Sequence, residues 1–274
     1  MSVPAADDIE AFRRLVLERS GLTLSADKDY LLRTRLEPIV RHETFTDLAA
    51  LLRQVRIAPA SPLAQRCVDA MATHESFFFR DITPFDQLRD VLLPELSKTR
   101  AHTRTLRIWS AACSSGQEPY SLAMLLNEQP GLFGGWNLRI LATDFSEPIL
   151  SRARSALYSD FEARRGLSPE RQARWLSPES GAFRVVPEVR SMVQFRQHNL
   201  LEGAAMLGRF DLILCRNVLI YFDATTKART LESIATVLEP DGALILGSAE
   251  TVVGLDGSFE PRAGLRGVFQ VRSA

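Results

Sequence analysis

The sequence predicts an α/β protein with a doubly wound, mostly parallel sheet, preceded by a small all-α domain. From about residue 85 onward, short continuous apolar runs alternate with helical patterns. Such runs are typical of strands whose two faces are both buried, as they are in a parallel sheet covered by helices. Before that point the chain shows only helical periodicity. The central stretch, 106–126, reads as a strand, a tight turn and a helix, which is the basic unit of this fold class.

Residues 1–72 are predicted to form the helical domain. Apolar side chains such as Ile9, Phe12 and Val16 recur at helical spacing, and Gly21 ends the first helix. The pattern repeats twice more, and a further helix follows the Pro- and Ala-rich segment 58–62. The remaining residues, 73–274, are predicted to form the sheet domain.

Six strands are predicted in the sheet domain, the last of them antiparallel. They are Leu106–Ala111, Leu138–Thr143, Met192–Arg196, Phe210–Cys215, Ala243–Gly247 and Gly267–Val271. The Asp241-Gly242 pair is interpreted as a turn into the fifth strand. Residues 165–191 interrupt the alternation with a short helix and a strand pair, and are predicted to be an inserted β-subdomain.

Composition excludes several classes of protein. The 274 residues carry 33 basic and 33 acidic side chains, so no broad positive field attracts nucleic acid. The N-terminus lacks the layout of a secretory signal, and no apolar run reaches the roughly 18–20 residues that cross a bilayer. Cys67, Cys113 and Cys215 are far apart and match neither a metal site nor a disulfide framework. We expect a cytoplasmic protein with reduced thiols, no bound metal and no membrane insertion.

The stretch LRIWSAACSSGQEPYSLAMLL carries the strongest functional signal. The chain turns at Gly116, and Glu118 follows in the first turn of the next helix. A turn that bound a diphosphate would offer free backbone N–H groups and a positive helix end. A carboxylate there repels phosphate and favours a cation, so the pattern suggests an adenosine compound with a positively charged tail, such as S-adenosylmethionine. Glu118 is explained equally well as an acid that stabilises the first turn.

Two further positions follow the next strands. Asp144 ends the segment LRILATD, where a carboxylate could accept hydrogen bonds from two ribose hydroxyls. The alternative is that Asp144 caps the helix that starts near Ser146. Asn199 and Leu200 follow the third strand and could meet the adenine ring, although an Asn at this place is more often a turn residue.

The remaining candidates lie in two polar-aromatic segments. Arg216 and Asn217 directly follow the buried strand FDLILC, and Tyr221 comes four residues after Asn217. Burying the polar groups of Arg216 and Asn217 is costly unless they are hydrogen-bonded. Upstream, the segment THESFFFRD at 73–81 is either a hydrophobic plug or a lid that delivers Arg80 into the cleft.

Together these segments resemble a known family. In order and spacing, MATHESFFFRD, IWSAACSSGQEPYSLAM, ILATDFSEPIL, HNLL and FDLILCRNVLIYFD are similar to the CheR chemoreceptor methyltransferases. The resemblance covers nearly the whole chain. It implies a class I methyltransferase fold that uses S-adenosylmethionine, and methylation of glutamate side chains on the cytoplasmic helices of chemoreceptors, with S-adenosylhomocysteine as the product. It also implies recruitment to membrane receptor arrays and a role in chemotaxis adaptation.

The resemblance also assigns residues. It implies that the cofactor contacts are His74, Ser76, Arg80, Glu118, Asp144, Asn199, Leu200, Arg216 and Asn217. Arg80 and Tyr221 would lie nearest the transferred methyl group. Arg35 lies in an Arg-Leu pair that resembles the family's substrate-facing helix. By charge alone, the mildly basic helix that carries Arg35 and Arg41 could guide an acidic receptor helix, although a solvated helix face explains both residues as well.

Three other functions compete with a protein-glutamate O-methyltransferase. An RNA or small-molecule methyltransferase could use the same sheet, and a non-catalytic sensor could bind the cofactor without turnover. A nicotinamide dehydrogenase is disfavoured because Glu118 occupies the place of the phosphates. A monomer is expected.

Overall fold

The computed structural model describes residues 4–25, 27, 29–255 and 257–272. These residues group into two compact units. The helical unit comprises the described residues through Thr73 together with Tyr221–Thr226. The sheet unit comprises His74–Ile220 and the described residues from Lys227 onward. Among the described residues, no helix combines the length and the apolarity that crossing a membrane requires.

The helical unit contains four helices in the described residues. They are α1 (Ala6–Ser20), α2 (Asp29–His42), α3 (Leu48–Ile57) and α4 (Pro62–Met71). Two of them have side-chain caps: Asp47 accepts from the Ala50 N–H and Ser61 accepts from the Ala64 N–H. Apolar positions at helical spacing, such as Leu36 and Leu52, are fully buried.

The sheet unit contains ten strands in two sheets. In chain order they are β1 (Thr105–Ala111), β2 (Asn137–Asp144), β3 (Leu157–Tyr158), β4 (Leu176–Glu179), β5 (Ala182–Val185), β6 (Val193–Gln197), β7 (Phe210–Cys215), β8 (Leu238–Leu246), β9 (Phe259–Pro261) and β10 (Val268–Val271). The large sheet has the order β6-β2-β1-β7-β8-β10-β9, with the first five strands parallel and β10 antiparallel. The predicted fold class is confirmed.

Nine helices accompany these strands in the described residues. They are α5 (Thr83–Gln87), α6 (Leu93–Thr99), α7 (Gln117–Asn127), α8 (Pro130–Phe133), α9 (Glu147–Ser155), α10 (Asp160–Arg164), α11 (Pro169–Trp175), α12 (Pro187–Arg190) and α13 (Ala224–Val237). A π-helical turn, Leu88–Leu92, joins α5 to α6 into one longer helical run. One apolar core joins Leu88 and Leu92 of this run to Ile108 of β1 and Leu125 of α7.

The small sheet, β3-β5-β4, is antiparallel. Its β4–β5 hairpin turns through Ser180 and Gly181, both with positive φ, as a two-residue hairpin turn requires. Strand β3 was not predicted, because two residues are too few to show a period in the sequence.

The expected turn at Asp241-Gly242 is wrong, because β8 already begins at Leu238. Phe210 pairs with Leu238, and the next pair joins Leu212 to Ala243, so β8 bulges between these two pairs. Strand β9 was also missed.

The register brings the carboxyl ends of the central strands to one edge. Ala111 at the end of β1 pairs with Thr143 of β2 on one side and with Cys215 of β7 on the other. The strand order reverses between β1 and β7. In open α/β sheets, this switch point is where a ligand crevice forms.

Candidate functional site

The turn after β1 leaves almost no space for a side chain at Gly116. Gly116 has a φ of 93°, and a Cβ there would lie 3.0 Å from the Ala153 Cβ and 3.2 Å from the Tyr158 hydroxyl oxygen. Ser114 also has a left-handed φ of 52°. Only glycine combines this backbone with such a tight space. Helix α7 therefore starts directly after the turn, and Glu118 is in its first turn.

Glu118 is paired with Arg216 across the switch point. Arg216 Nη1 donates to Glu118 Oε2 at 2.9 Å, and Ser110 Oγ donates to Glu118 Oε1 at 2.8 Å. The Arg216 side chain is 1% exposed. Its Nη2 also donates to Asp81 Oδ2 at 3.0 Å and to the Arg80 carbonyl at 2.8 Å. Two carboxylates face one guanidinium here, so the cluster keeps an excess of negative charge that suits a cationic ligand.

The segment 74–81 is anchored by its aromatic side chains. Phe78 and Phe79 are buried, and the Phe79 N–H donates to Ser121 Oγ at 2.9 Å. A Cβ on Gly166 would lie 1.8 Å from the Phe78 carbonyl oxygen, so that glycine is needed for the contact. The interpretation as a hydrophobic plug thus describes Phe78 and Phe79, while Arg80 stays half-buried.

Arg80 is held by its own segment. Its Nη1 donates to the Glu75 carbonyl at 2.8 Å, and its guanidinium carbon lies 5.5 Å from the centroid of the Phe77 ring. Arg165 approaches the same ring at 4.3 Å and binds the Glu75 carboxylate at 2.6 Å. The Arg165 guanidinium lowers the pKa of Glu75 below its usual value.

His74 and Ser76 border a cavity of about 350 Å³. Of the other predicted contacts, none lines this cavity. The His74 ring stacks with the Phe145 ring at a centroid distance of 6.5 Å. Since Phe145 follows Asp144 in the chain, His74 also lies beside the carboxyl end of β2.

The Asp144 carboxylate hydrogen-bonds both to the turn after β1 and to the turn after β2. Its Oδ2 accepts from the Ser114 N–H at 2.9 Å and its Oδ1 accepts from the Ser146 N–H at 3.1 Å. Burial raises the pKa of Asp144, although these N–H groups and the charge of His74 oppose the rise. The N-cap of α9 is Ser146 rather than Asp144. A carboxylate has about four acceptor positions, so Asp144 can still accept from a ligand.

Asn199 has the local role of a turn residue. Its Oδ1 accepts from the Leu201 N–H at 3.1 Å and caps the 3-10 turn Leu200–Glu202. Leu200 is half-buried. The preceding residue, His198, donates its backbone N–H to the Asp144 carbonyl at 3.0 Å, so this turn lies next to Asp144.

Two buried polar atoms, on residues whose backbone N–H groups contact Asp144, have no partner in the described part of the chain. They are Ser114 Oγ and His198 Nε2. Buried polar groups are rarely left unsatisfied, so the Ser114 hydroxyl, whose own backbone N–H binds the Asp144 carboxylate, indicates a polar ligand there. The His198 ring lies against the Trp109 ring. A ribose hydroxyl of an adenosine group would supply the partner that Ser114 lacks, and the residues therefore fit such a cofactor.

Asn217 follows Arg216 with a left-handed φ of 59°. Its backbone N–H donates to the Glu250 carboxylate. Glu250 was missed in the sequence, where the only signal is an acid three residues beyond a predicted strand.

The other predicted residues belong to the helical unit. Arg35 donates to the Met71 carbonyl and, at 2.8 Å, to Thr73 Oγ1. Arg41 is 78% exposed and pairs with Glu37. Tyr221 is half-buried, and its carbonyl accepts from the Thr23 N–H at 3.0 Å.

Two family models match consecutive parts of the chain. The model described as "CheR methyltransferase, all-alpha domain" matches residues 7–72. The model described as "CheR methyltransferase, SAM binding domain" matches residues 74–267. The chain belongs to the CheR methyltransferase family. The sheet unit is thus a class I methyltransferase domain, and its cofactor is S-adenosylmethionine.

Individual CheR relatives agree over almost their full length. "Chemotaxis protein methyltransferase 1" of Vibrio cholerae is 42% identical over 254 residues, 91% of this chain and 90% of that protein. "Chemotaxis protein methyltransferase 1" of Pseudomonas aeruginosa is 41% identical, covering 92% and 93%. "Chemotaxis protein methyltransferase" of Escherichia coli is 34% identical, covering 92% and 87%.

Proposed function

We propose that this protein transfers the methyl group of S-adenosylmethionine to glutamate side chains on the cytoplasmic helices of chemoreceptors. The products are glutamate methyl esters and S-adenosylhomocysteine, and the role is chemotaxis adaptation. The observation that carries the proposal is the similarity, over about nine-tenths of the chain, to proteins named as chemotaxis protein methyltransferases. The protein would act as a cytoplasmic monomer that is recruited to receptor arrays.

The state of the acids in the sheet unit favours a carboxylate acceptor. Glu118 is held by Arg216 and Ser110, and Asp144 by two backbone N–H groups. The ion pair with Arg216 makes Glu118 a poor general base, and Asp144, whose pKa burial raises, is assigned to the ribose rather than to the acceptor. A hydroxyl or amine acceptor would need a base, whereas a glutamate is already ionised near neutral pH.

The bound cofactor supplies an activated methyl group on a sulfonium. The task of the chain is to orient the acceptor oxygen and to exclude water. In the proposal, Glu118 attracts the cationic amino-acid end of the cofactor, while Asp144 accepts from ribose hydroxyls. His74, Ser76, Asn199, Leu200, Arg216 and Asn217 complete the cofactor contacts.

Arg80 and Tyr221 are proposed to serve the acceptor. The Arg80 guanidinium is held by one carbonyl and one aromatic face, which leaves donors for a carboxylate. Tight ion pairing would lower the nucleophilicity of the acceptor, so Arg80 would position it. Tyr221 would orient the methyl group or the acceptor.

The test uses methyl-labelled S-adenosylmethionine and purified cytoplasmic fragments of chemoreceptors. We expect receptor label that alkali releases as methanol. Alkali-stable label on RNA or on a small molecule would support a different methyltransferase. Cofactor binding without turnover on any fragment would support a sensor.

A further inference from the structure

The carboxylate of Glu250 fills a cluster of backbone N–H groups beside the turn after β7. Its Oε2 accepts from the Asn217 N–H at 2.8 Å and from the Gly247 N–H at 2.7 Å. Its Oε1 accepts from the Val218 N–H at 2.9 Å and from the Ile220 N–H at 3.3 Å. One side chain thus joins the end of β8 to the turn that follows β7.

Converging N–H groups of this kind form an anion-binding concavity. Here the anion is an internal carboxylate. Without it, the N–H groups of Asn217 and Val218 would lose their acceptor, and a buried donor without an acceptor is costly. Asn217 also has a left-handed backbone, so the turn depends on such contacts to keep its shape.

Gly247 leaves room for this carboxylate. A Cβ at Gly247 would lie 2.7 Å from Glu250 Oε2 and 2.9 Å from the Asn217 backbone nitrogen. Any larger residue at this position would push the carboxylate and the turn apart. The Glu250 carboxylate can therefore bind these N–H groups only because residue 247 is a glycine.

The turn held by Glu250 begins at Arg216, which contacts both Glu118 and the segment 74–81. We propose that Glu250 is a positioning residue that holds the Arg216–Val218 turn in the geometry that binds S-adenosylmethionine. This inference rests on the proposed cofactor site. Glu250 acts through the backbone of the turn and does not contact the reacting atoms.

The experiment measures S-adenosylhomocysteine binding by calorimetry for Glu250→Ala and Glu250→Gln in the full chain. We expect affinity to fall about tenfold or more, because hydrogen bonds to a charged group are lost. Glu250→Gln is the second variant, since it keeps the volume of the side chain but replaces one acceptor oxygen with a donor. Gly247→Ala should reproduce the loss with Glu250 intact.

Glu128→Gln is the matched control. Glu128 also accepts several hydrogen bonds, from Arg171 and from Trp175 Nε1, but lies outside the proposed site. We expect this control to lower the thermal midpoint and to leave the cofactor affinity unchanged. A purely structural role for Glu250 would give the same result.

Chemical rescue gives the sharpest readout. In Glu250→Ala, added formate should enter the vacated concavity and restore S-adenosylhomocysteine affinity, while chloride at equal ionic strength should not. Unchanged affinity in Glu250→Ala and Glu250→Gln, or weak binding that formate does not improve, would overturn the inference. If the wild-type protein did not bind S-adenosylhomocysteine, the cofactor site itself would be wrong.

Discussion

Arg216 and Glu118 form a partly buried ion pair although 98 positions separate them in the chain. One follows β7 and the other follows β1, on the two sides of the switch point. Because Arg216 also binds Asp81 and the Arg80 carbonyl, it connects the two strand ends to the segment 74–81. The pair therefore links the stability of the sheet edge to the integrity of the cofactor site.

Removing Arg216 should destabilise the protein strongly. Arg216→Ala leaves Glu118 and the more exposed Asp81 without their shared cation, and we expect a loss of about 2–3 kcal/mol, below the full cost of breaking a fully buried pair. Glu118→Ala should cost less, because Arg216 keeps Asp81 and the Arg80 carbonyl. Chemical denaturation measures both. The control is Arg164→Ala, at an exposed pair with Asp160, for which we expect a loss under about 1 kcal/mol. Equal losses at Arg216 and Arg164 would contradict a stabilising role for the Arg216–Glu118 pair.

Ser114→Ala should weaken cofactor binding without weakening the protein. The Ser114 hydroxyl is buried and has no partner in the described part of the chain, so its removal relieves an unsatisfied group. We expect an unchanged or slightly higher thermal midpoint and a lower affinity for S-adenosylhomocysteine, by about threefold to tenfold. Scanning calorimetry and titration calorimetry give the two values. Losses in both would mean that the hydroxyl serves the fold alone.

Cofactor affinity should fall on acidification through the pKa of Asp144. Burial raises the pKa of Asp144 above its usual value, so the loss should begin above the pH at which an ordinary aspartate titrates, about 4. Hydroxyl donors from the ligand favour the ionised form. Binding therefore lowers this pKa, and protons are released where Asp144 is partly protonated. Titrations in buffers of different ionisation enthalpy detect that release.

His74→Asn tests whether Asp144 is the group whose titration controls cofactor affinity. The charge of His74 opposes the rise in the pKa of Asp144, so its removal should move the affinity profile to higher pH. Proton release that persisted in Asp144→Asn would belong to another group.

Arg80→Ala should separate turnover from cofactor affinity. Arg80 contacts Glu75 and Phe77 within its own segment, and we propose that its free donors position the acceptor. We expect kcat on receptor fragments to fall about a hundredfold or more, and S-adenosylhomocysteine affinity to change less. Arg80→Lys should recover only part of the rate, since it lacks the planar donor fork. Wild-type rate and affinity in Arg80→Ala would remove this residue from the site.

Arg35 and Arg41 should differ in their effects. Arg41 is exposed, so Arg41→Glu should slow association with acidic receptor helices, most at low salt, and lower the thermal midpoint only slightly through the lost pair with Glu37. Arg35 binds the Met71 carbonyl and Thr73, so Arg35→Ala should lower the midpoint as well. Binding kinetics at two salt concentrations and thermal melts measure these effects. A salt-independent effect of Arg41→Glu would contradict steering by charge.

The sequence by itself determined the fold class and the order of the main elements. Continuous apolar runs and helical periods are local signals, and they placed β7 at 210–215 as the structure has it. The same signals located the polar residues that follow β1, β2 and β7. Two-residue strands such as β3 and the bulge in β8 were beyond them, because these features depend on pairing with distant strands.

Only the tertiary structure decided how the polar residues are partnered. The sequence suggested Glu118 as an anchor for a cation, but its contact with Arg216 arises because β1 and β7 are neighbours in the sheet. Glu250 had only a weak local signal, an acid just beyond a predicted strand, since its four N–H donors come from two separate turns. Local sequence patterns indicate which side chains are buried. Hydrogen-bond partners depend on how segments that are far apart in the chain pack together.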